Sequence, residues 1–213
     1  MFQNRKDAGL QLAEKLIHEH FDEPIVLALP RGGVPVAHEL AKALNAPLDL
    51  LLVKKIGLPF NPELALGAVV EGQPPQLVIN EDVRRMTKPP KDYIEQQKNR
   101  KLDEIKHLRE LYLKDHDAPT LTGRDVIIVD DGVATGATVR AAIKGVKAQN
   151  PKRIILAVPV APPDTIKALT PEVSKLICLE SPRAFYAIGN HYEDFHQLHD
   201  QEVKDLLAHC NIN

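Results

Sequence analysis

Residues 126–142 read VIIVDDGVATGATVRAA, and this stretch decides the fold. Four β-branched residues in a row suit a strand buried on both faces. Two adjacent carboxylates, Asp130 and Asp131, then stand at its carboxyl end, the edge where open α/β sheets bind ligands. Gly132, Val133, Ala134, Thr135, Gly136, Ala137 and Thr138 follow and lead into a helix. Small residues and two glycines let backbone N–H groups converge on an anion, Thr135 and Thr138 add hydroxyls, and the helix start adds partial positive charge. Such a loop suits a phosphate monoester. The paired carboxylates suit vicinal hydroxyls, which donate to them. A phosphate at one end and a diol nearby describe a ribose 5-phosphate. The run has no GxGxxG and no GxxxxGK[ST], which argues against a dinucleotide fingerprint and a Walker loop.

The rest of the chain builds outward from that strand. Residues 25–29 (IVLAL) form a buried strand, and 124–130 and 153–160 (RIILAVPV) two more, with 175–179 a fifth. A helix over 34–44 and a strand over 48–53 complete a βαβ unit with parallel strands. Helices are expected over 7–20, with Leu10, Ala13, Leu16 and Ile17 on the buried face, and over 139–149, 163–169 and 200–208. Residues 57–76 read as loop-rich, with short strands at 65–70 and 76–79. The segment 81–119 is charge-dense and carries a long, solvated helix over about 90–113. The class is therefore α/β: a central, mostly parallel sheet flanked by helices, with a charged helical insertion at about 81–119 and a small C-terminal hood. Core and insertion occupy 1–180, and the hood occupies 181–213.

A second anion site follows the first core strand. Leu29-Pro30-Arg31-Gly32-Gly33 exposes backbone N–H groups beside a forked guanidinium. Lys54 and Lys55 are expected at the end of the adjacent strand, one of them facing the same edge of the sheet.

The chain has 213 residues, 27 Lys plus Arg against 29 Asp plus Glu, and two cysteines. The near-neutral balance argues against a nucleic-acid coat. Cys178 and Cys210 form no CxxC, which argues against a cysteine zinc module or a disulfide scaffold. No apolar run nears the ~20 residues of a membrane span, and the start has no signal-peptide core. The expectation is a cytoplasmic protein with no membrane partner.

The run VIIVDDGVATGAT resembles the phosphoribosyl diphosphate motif of the type I phosphoribosyltransferases. Arg31-Gly32 resembles that family's short diphosphate loop, which often contains a strained or cis peptide. Lys54-Lys55-Ile56-Gly57 resembles its RKxG. Over nearly its whole length the chain is similar to a bacterial subgroup of that family, with Arg5-Lys6-Asp7-Ala8-Gly9, ALPRGGVPVA, the segment from Lys55 to Ala68, and a tail from Phe185 to Phe195. The resemblance implies transfer of a phosphoribosyl group from its diphosphate to a nitrogenous acceptor, such as a nucleobase, with Mg²⁺ at Asp130 and Asp131. It implies catalytic roles for Asp130, Asp131, Arg31 and Lys55, and donor binding by Gly32, Gly33, Lys54, Gly132 and the loop from Ala134 to Thr138. It also implies a homodimer. Ala134 stands where the 6-oxopurine branch has an aspartate, which argues against a hypoxanthine or guanine enzyme.

The acceptor is expected against the hood. Phe185, Tyr186, Tyr192 and Phe195 concentrate there, in a chain with only five Phe and four Tyr. Phe185, Tyr192 and Phe195 are the rings expected to stack on it, although a small satellite core explains them as well. For the covering segment, 57–75 and 81–119 both remain open, with Arg84, Arg85, Lys88, Lys91, Arg100 and Arg109 as cations that could reach diphosphate. The alternatives are a regulatory phosphoribosyl diphosphate sensor, with or without RNA, and a ribose-phosphate ester hydrolase.

Overall fold

The computed structural model describes residues 1–114 and 116–210, without the side chains of Glu63 and Lys91. Five parallel strands form the main sheet: β1 (Ile25–Ala28), β2 (Leu48–Leu50), β6 (Asp125–Val129), β7 (Arg153–Val160) and β8 (Lys175–Glu180), in the order β2-β1-β6-β7-β8. Their side chains alternate between two cores, as a period of two requires. Val26, Ala28, Ile127, Val129, Ile155 and Ala157 face one. Ile25, Leu27, Val126, Ile128, Ile154 and Leu156 face the other. Helices α1 (Arg5–Leu16), α2 (Gly33–Leu44), α4 (Lys91–Leu113) and α7 (Asp200–Ala208) contribute to the first core, and α5 (Ala137–Lys147) and α6 (Pro163–Leu169) to the second.

A smaller antiparallel sheet holds β3 (Val53–Leu58), β4 (Asn61–Val70) and β5 (Gln76–Ile79), with β4 central. This corrects two expectations. The strand read over 48–53 ends at Leu50, and the chain enters the second sheet at Val53. The loop-rich reading of 57–76 gives way to a hairpin with Phe60 fully exposed near its tip. The turn residues misled because two of them serve close packing. A side chain at Gly57 would come within 2.3 Å of the Pro62 carbonyl, and one at Gly67 within 2.4 Å of the Val78 carbonyl.

Helix α1 starts two residues earlier than expected, where the Asn4 side chain accepts from the Asp7 N–H and caps it. Its buried face is Ala8, Leu12, Ala13 and Leu16. Leu10 and Ile17 are exposed, contrary to the periodicity reading. The charged insertion divides into α3 (Glu81–Thr87) and α4.

Arg109 is not available to a ligand. From α4 it reaches inward to chelate Glu71 and to donate to Asp49 Oδ1 at 2.8 Å. Burial among two carboxylates explains why this cation leaves the solvated face of its helix.

The start of the chain meets residues 191–194 on the carboxyl side of the sheet. Phe2 bridges Tyr192, and the N–H groups of Glu193 and Asp194 donate to the carbonyls of Phe2 and Gln3. Phe2, Ala8, Val160 and Tyr192 form a third apolar cluster, joined by Phe185, Ile188 and Phe195. The first residues of the chain thus pack into the hood.

Candidate functional site

The direction of the chain reverses between β1 and β6: β1 leads outward to β2, and β6 to β7 and β8. Ala28 pairs with Val129, so the turn after β1 and the acids after β6 leave the sheet side by side. That is the switch-point crevice of an open α/β sheet. Arg5, Pro30, Arg31, Gly32, Asp130, Asp131 and residues 195–198 line a cleft of about 470 Å³ there.

Glycines make the approach close. A side chain at Gly32 would come within 2.1 Å of Asp131 Oδ2, and one at Gly33 within 2.6 Å of the Val129 carbonyl. The Pro30–Arg31 peptide is cis. Asp130 Oδ1 accepts from the Asp131 N–H at 2.9 Å. Burial and the neighbouring Asp131 charge push the Asp130 carboxyl well above the usual range. Burial also raises Asp131, against the pull of Arg5.

The loop after the acids is anchored on one side and open on the other. The Val133 N–H donates to the Val160 carbonyl, and Thr165 Oγ1 donates to the Ala134 carbonyl at 2.6 Å. Ala134, Thr135, Ala137 and Thr138 are exposed. Gly136 adopts φ +77°, a conformation that favours glycine, and caps α5 without a side-chain hydrogen bond. The first turn of α5 contains no acidic residue. A helix start of this kind accepts an anion.

Arg31 is half-exposed, with Nη1 3.5 Å from Asp200 Oδ1 at the start of α7. Asp200 Oδ1 also accepts from the Tyr112 hydroxyl at 2.6 Å. Lys54 and Lys55 lie on β3 of the smaller sheet, in register with Val69 and Ala68, rather than at the end of a main-sheet strand. Lys54 Nζ is 3.8 Å from Glu104, and Lys55 is exposed.

Phe185, Tyr192 and Phe195 are packed, whereas Tyr186 is exposed. Phe185 stacks on His191 at 5.3 Å between centroids. Tyr192 is buried against Phe2 and Phe195, and its hydroxyl donates to the Asp131 carbonyl at 2.6 Å. Phe195 lies under the Arg5 guanidinium, 3.8 Å from ring centre to Cζ.

His196 stands between Asp194 Oδ1 and Glu202 Oε1, each at 3.0 Å. Those hydrogen bonds, Glu202 foremost, raise its pKa. Among the other insertion cations, Arg84 and Arg85 pair with Glu81 and Asp82, and Arg100 with Glu104. The Lys91 side chain lies outside the described residues. Among the described residues no group of three or more His, Cys, Asp or Glu is placed to hold a metal, and no helix is long and apolar enough to cross a membrane.

Four cleft residues had no site role in the sequence reading: His196, Gln197 and Leu198 of the hood, and Arg5. Arg5, 126 positions before Asp131, donates from Nε to Asp131 Oδ2 at 2.7 Å. Its signal in the sequence was its place in the Arg5-Lys6-Asp7-Ala8-Gly9 stretch of the family resemblance, which gave it no role.

Fold and site together define an α/β protein whose switch point gathers an acid pair, a cation-bearing glycine turn and an open helix start. Comparison with known proteins narrows this further. The model of the phosphoribosyl transferase domain matches residues 3–190, and the chain belongs to that family. It is 42% identical over 207 residues to two curated Mycobacterium tuberculosis proteins, Rv0571c and MT0597, both provisionally named phosphoribosyl transferases. The match covers 97% of this chain and 46% of each relative, so the chain spans about half their length. The crystal structure of TT1426 from Thermus thermophilus is 41% identical, with a TM-score of 0.85 over 97% of both chains. A Neisseria gonorrhoeae protein solved with bound ppGpp shares the fold at 14% identity and a TM-score of 0.51, over 96% of this chain and 91% of that one.

Proposed function

We propose that the cleft binds 5-phospho-α-D-ribosyl 1-diphosphate and transfers its phosphoribosyl group to a nitrogenous acceptor, releasing diphosphate. The observation that carries this reading is the convergence, at one sheet edge, of Asp130 and Asp131 with Arg31 and Gly32, immediately upstream of the open α5 loop. In this reading the 5-phosphate lies against residues 134–138 and accepts from backbone N–H groups and the Thr135 and Thr138 hydroxyls. The ribose hydroxyls donate to Asp130 and Asp131. The backbone of residues 31–33 and the Arg31 guanidinium hold the diphosphate and stabilise the charge that grows on it as it leaves. The bond from the anomeric carbon to the diphosphate oxygen breaks, a bond to the acceptor nitrogen forms, and the proton on that nitrogen leaves to solvent or a base. The acceptor enters beside His196, Gln197 and Leu198.

Mg²⁺ fits the donor set. Asp130 and Asp131 are hard oxygen donors, with Oδ2 of Asp131 already engaged by Arg5, which leaves most of the coordination to water and ligand oxygens, as Mg²⁺ prefers. When bound, it would neutralise diphosphate charge. The proposed transferase is a homodimer.

The test is mass spectrometry of products after incubation with phosphoribosyl diphosphate, Mg²⁺ and a panel of nucleobases and other amines. Diphosphate release matched by a nucleotide-type product is expected. Binding without turnover across the panel would favour a sensor, and diphosphate or phosphate release without an acceptor adduct would favour a hydrolase. Either outcome refutes the transferase reading.

A further inference from the structure

Arg5 is the first residue of α1, and its side chain is 9% exposed. Helix physics does not ask for it there. A cation in the first turn meets the positive end of the helix dipole, and a buried guanidinium is costly unless fully partnered. This one has three partners among the described residues. Nε donates to Asp131 Oδ2 at 2.7 Å, Nη1 donates to the His196 carbonyl at 2.9 Å, and the Phe195 ring lies against the guanidinium.

Asp131 is wedged from the opposite side. Its Oδ2 lies where a side chain at Gly32 would be, and its carbonyl takes the Tyr192 hydroxyl. A buried ion pair is a weak device for stability, because packed apolar residues often do as well. This pair, however, lines the ligand cleft with Asp130 and Arg31.

We infer that Arg5 is a positioning residue for the ribose subsite: by pinning Oδ2 it holds the Asp131 carboxylate in one orientation, and through Phe195 and His196 it ties the hood to the acid pair. The inference rests on the phosphoribosyl reading of the cleft. Oδ1 is the Asp131 oxygen that the guanidinium leaves unengaged. The Arg5 hydrogen bonds run to Asp131 and His196 rather than to the turn at 31–33 that would hold diphosphate.

Calorimetric titration of the full chain separates the two, using ribose 5-phosphate and inorganic diphosphate as probes, each with Mg²⁺. Arg5→Gln should weaken ribose 5-phosphate about tenfold or more and leave diphosphate within about twofold. Arg5→Lys, which keeps the charge, should recover part of the loss. In the Asp131→Asn background Arg5→Gln should add little, since the two act as one unit. Equal loss for both probes, additive losses, or an unchanged affinity for ribose 5-phosphate would overturn the inference. If circular dichroism shows Arg5→Gln unfolded, Arg5→Lys decides: a folded variant with selective, intermediate loss supports positioning, and wild-type affinity refutes it. A wild-type chain that binds neither probe would instead bring down the cleft reading, and this inference with it.

Discussion

Replacing Arg109 by Met should destabilise the protein in a pH-dependent way. The side chain is the sole cation described between two buried carboxylates. Glu71 accepts through both oxygens, and Asp49 Oδ1 accepts from Arg109 and from the Leu50 N–H at 2.6 Å. Asp49 Oδ2 is buried with no hydrogen-bond partner among the described residues. Removing one member of a buried pair and leaving charge behind costs about 3–5 kcal/mol. At roughly 2–4 °C per kcal/mol for a domain of this size, the melting temperature should fall by roughly 6–20 °C.

The sign of the pH dependence follows from burial, which raises both carboxyls above their ordinary values while Arg109 pulls them down. Without Arg109 both folded-state values rise further. The folded variant then holds more protons than the unfolded chain above the ordinary carboxylate pKa, so its stability falls as pH rises. The deficit relative to wild type should therefore be smallest near pH 5 and largest at pH 7–8. Urea unfolding followed by circular dichroism across that range measures it. Asp49→Asn with Glu71→Gln in the Arg109→Met background should restore much of the loss. A deficit that is flat with pH, or below about 1 kcal/mol, would refute the reasoning.

Three further outcomes test the site. Asp200→Asn should free Arg31 from its ion pair and strengthen phosphoribosyl diphosphate binding by a factor of about two to five, as removal of a half-exposed pair allows; weaker binding in titration would show that Asp200 orients Arg31 instead. Gly136→Val should cost about 1–2 kcal/mol for the left-handed backbone, with added crowding because a Cβ there lies 3.1 Å from Thr165 Cγ2; ribose 5-phosphate affinity should suffer more than thermal stability, and the reverse ordering counts against a phosphate loop. Asp131→Asn should weaken phosphoribosyl diphosphate about tenfold or more, since a charged acceptor for a hydroxyl is lost, and unchanged affinity in the same titration removes Asp131 from the ribose subsite.

Much of the fold was legible because its signals are local. The apolar runs at 25–29, 124–130 and 153–160 became β1, β6 and β7, and the helices over 163–169 and 200–208 appear where periodicity put them. The smaller sheet was harder to read. Gly57, Pro59, Pro62 and Gly67 look like loop punctuation until the hairpin packs backbone against backbone. Arg109 read as one of several helix cations that could reach diphosphate, because nothing near it in sequence reveals Asp49 and Glu71.

The acid pair and the small-residue loop lie within nine positions of each other, so sequence alone placed both at the end of one strand. What joins that strand to the turn at 30–33 is the parallel pairing of β1 with β6, and what joins it to Arg5 is the docking of the chain's start against the hood. Both are contacts between residues about a hundred or more positions apart. Only packing of the whole chain brings such residues together, so the tertiary structure alone decided which of the many cations serve the cleft and which are committed elsewhere.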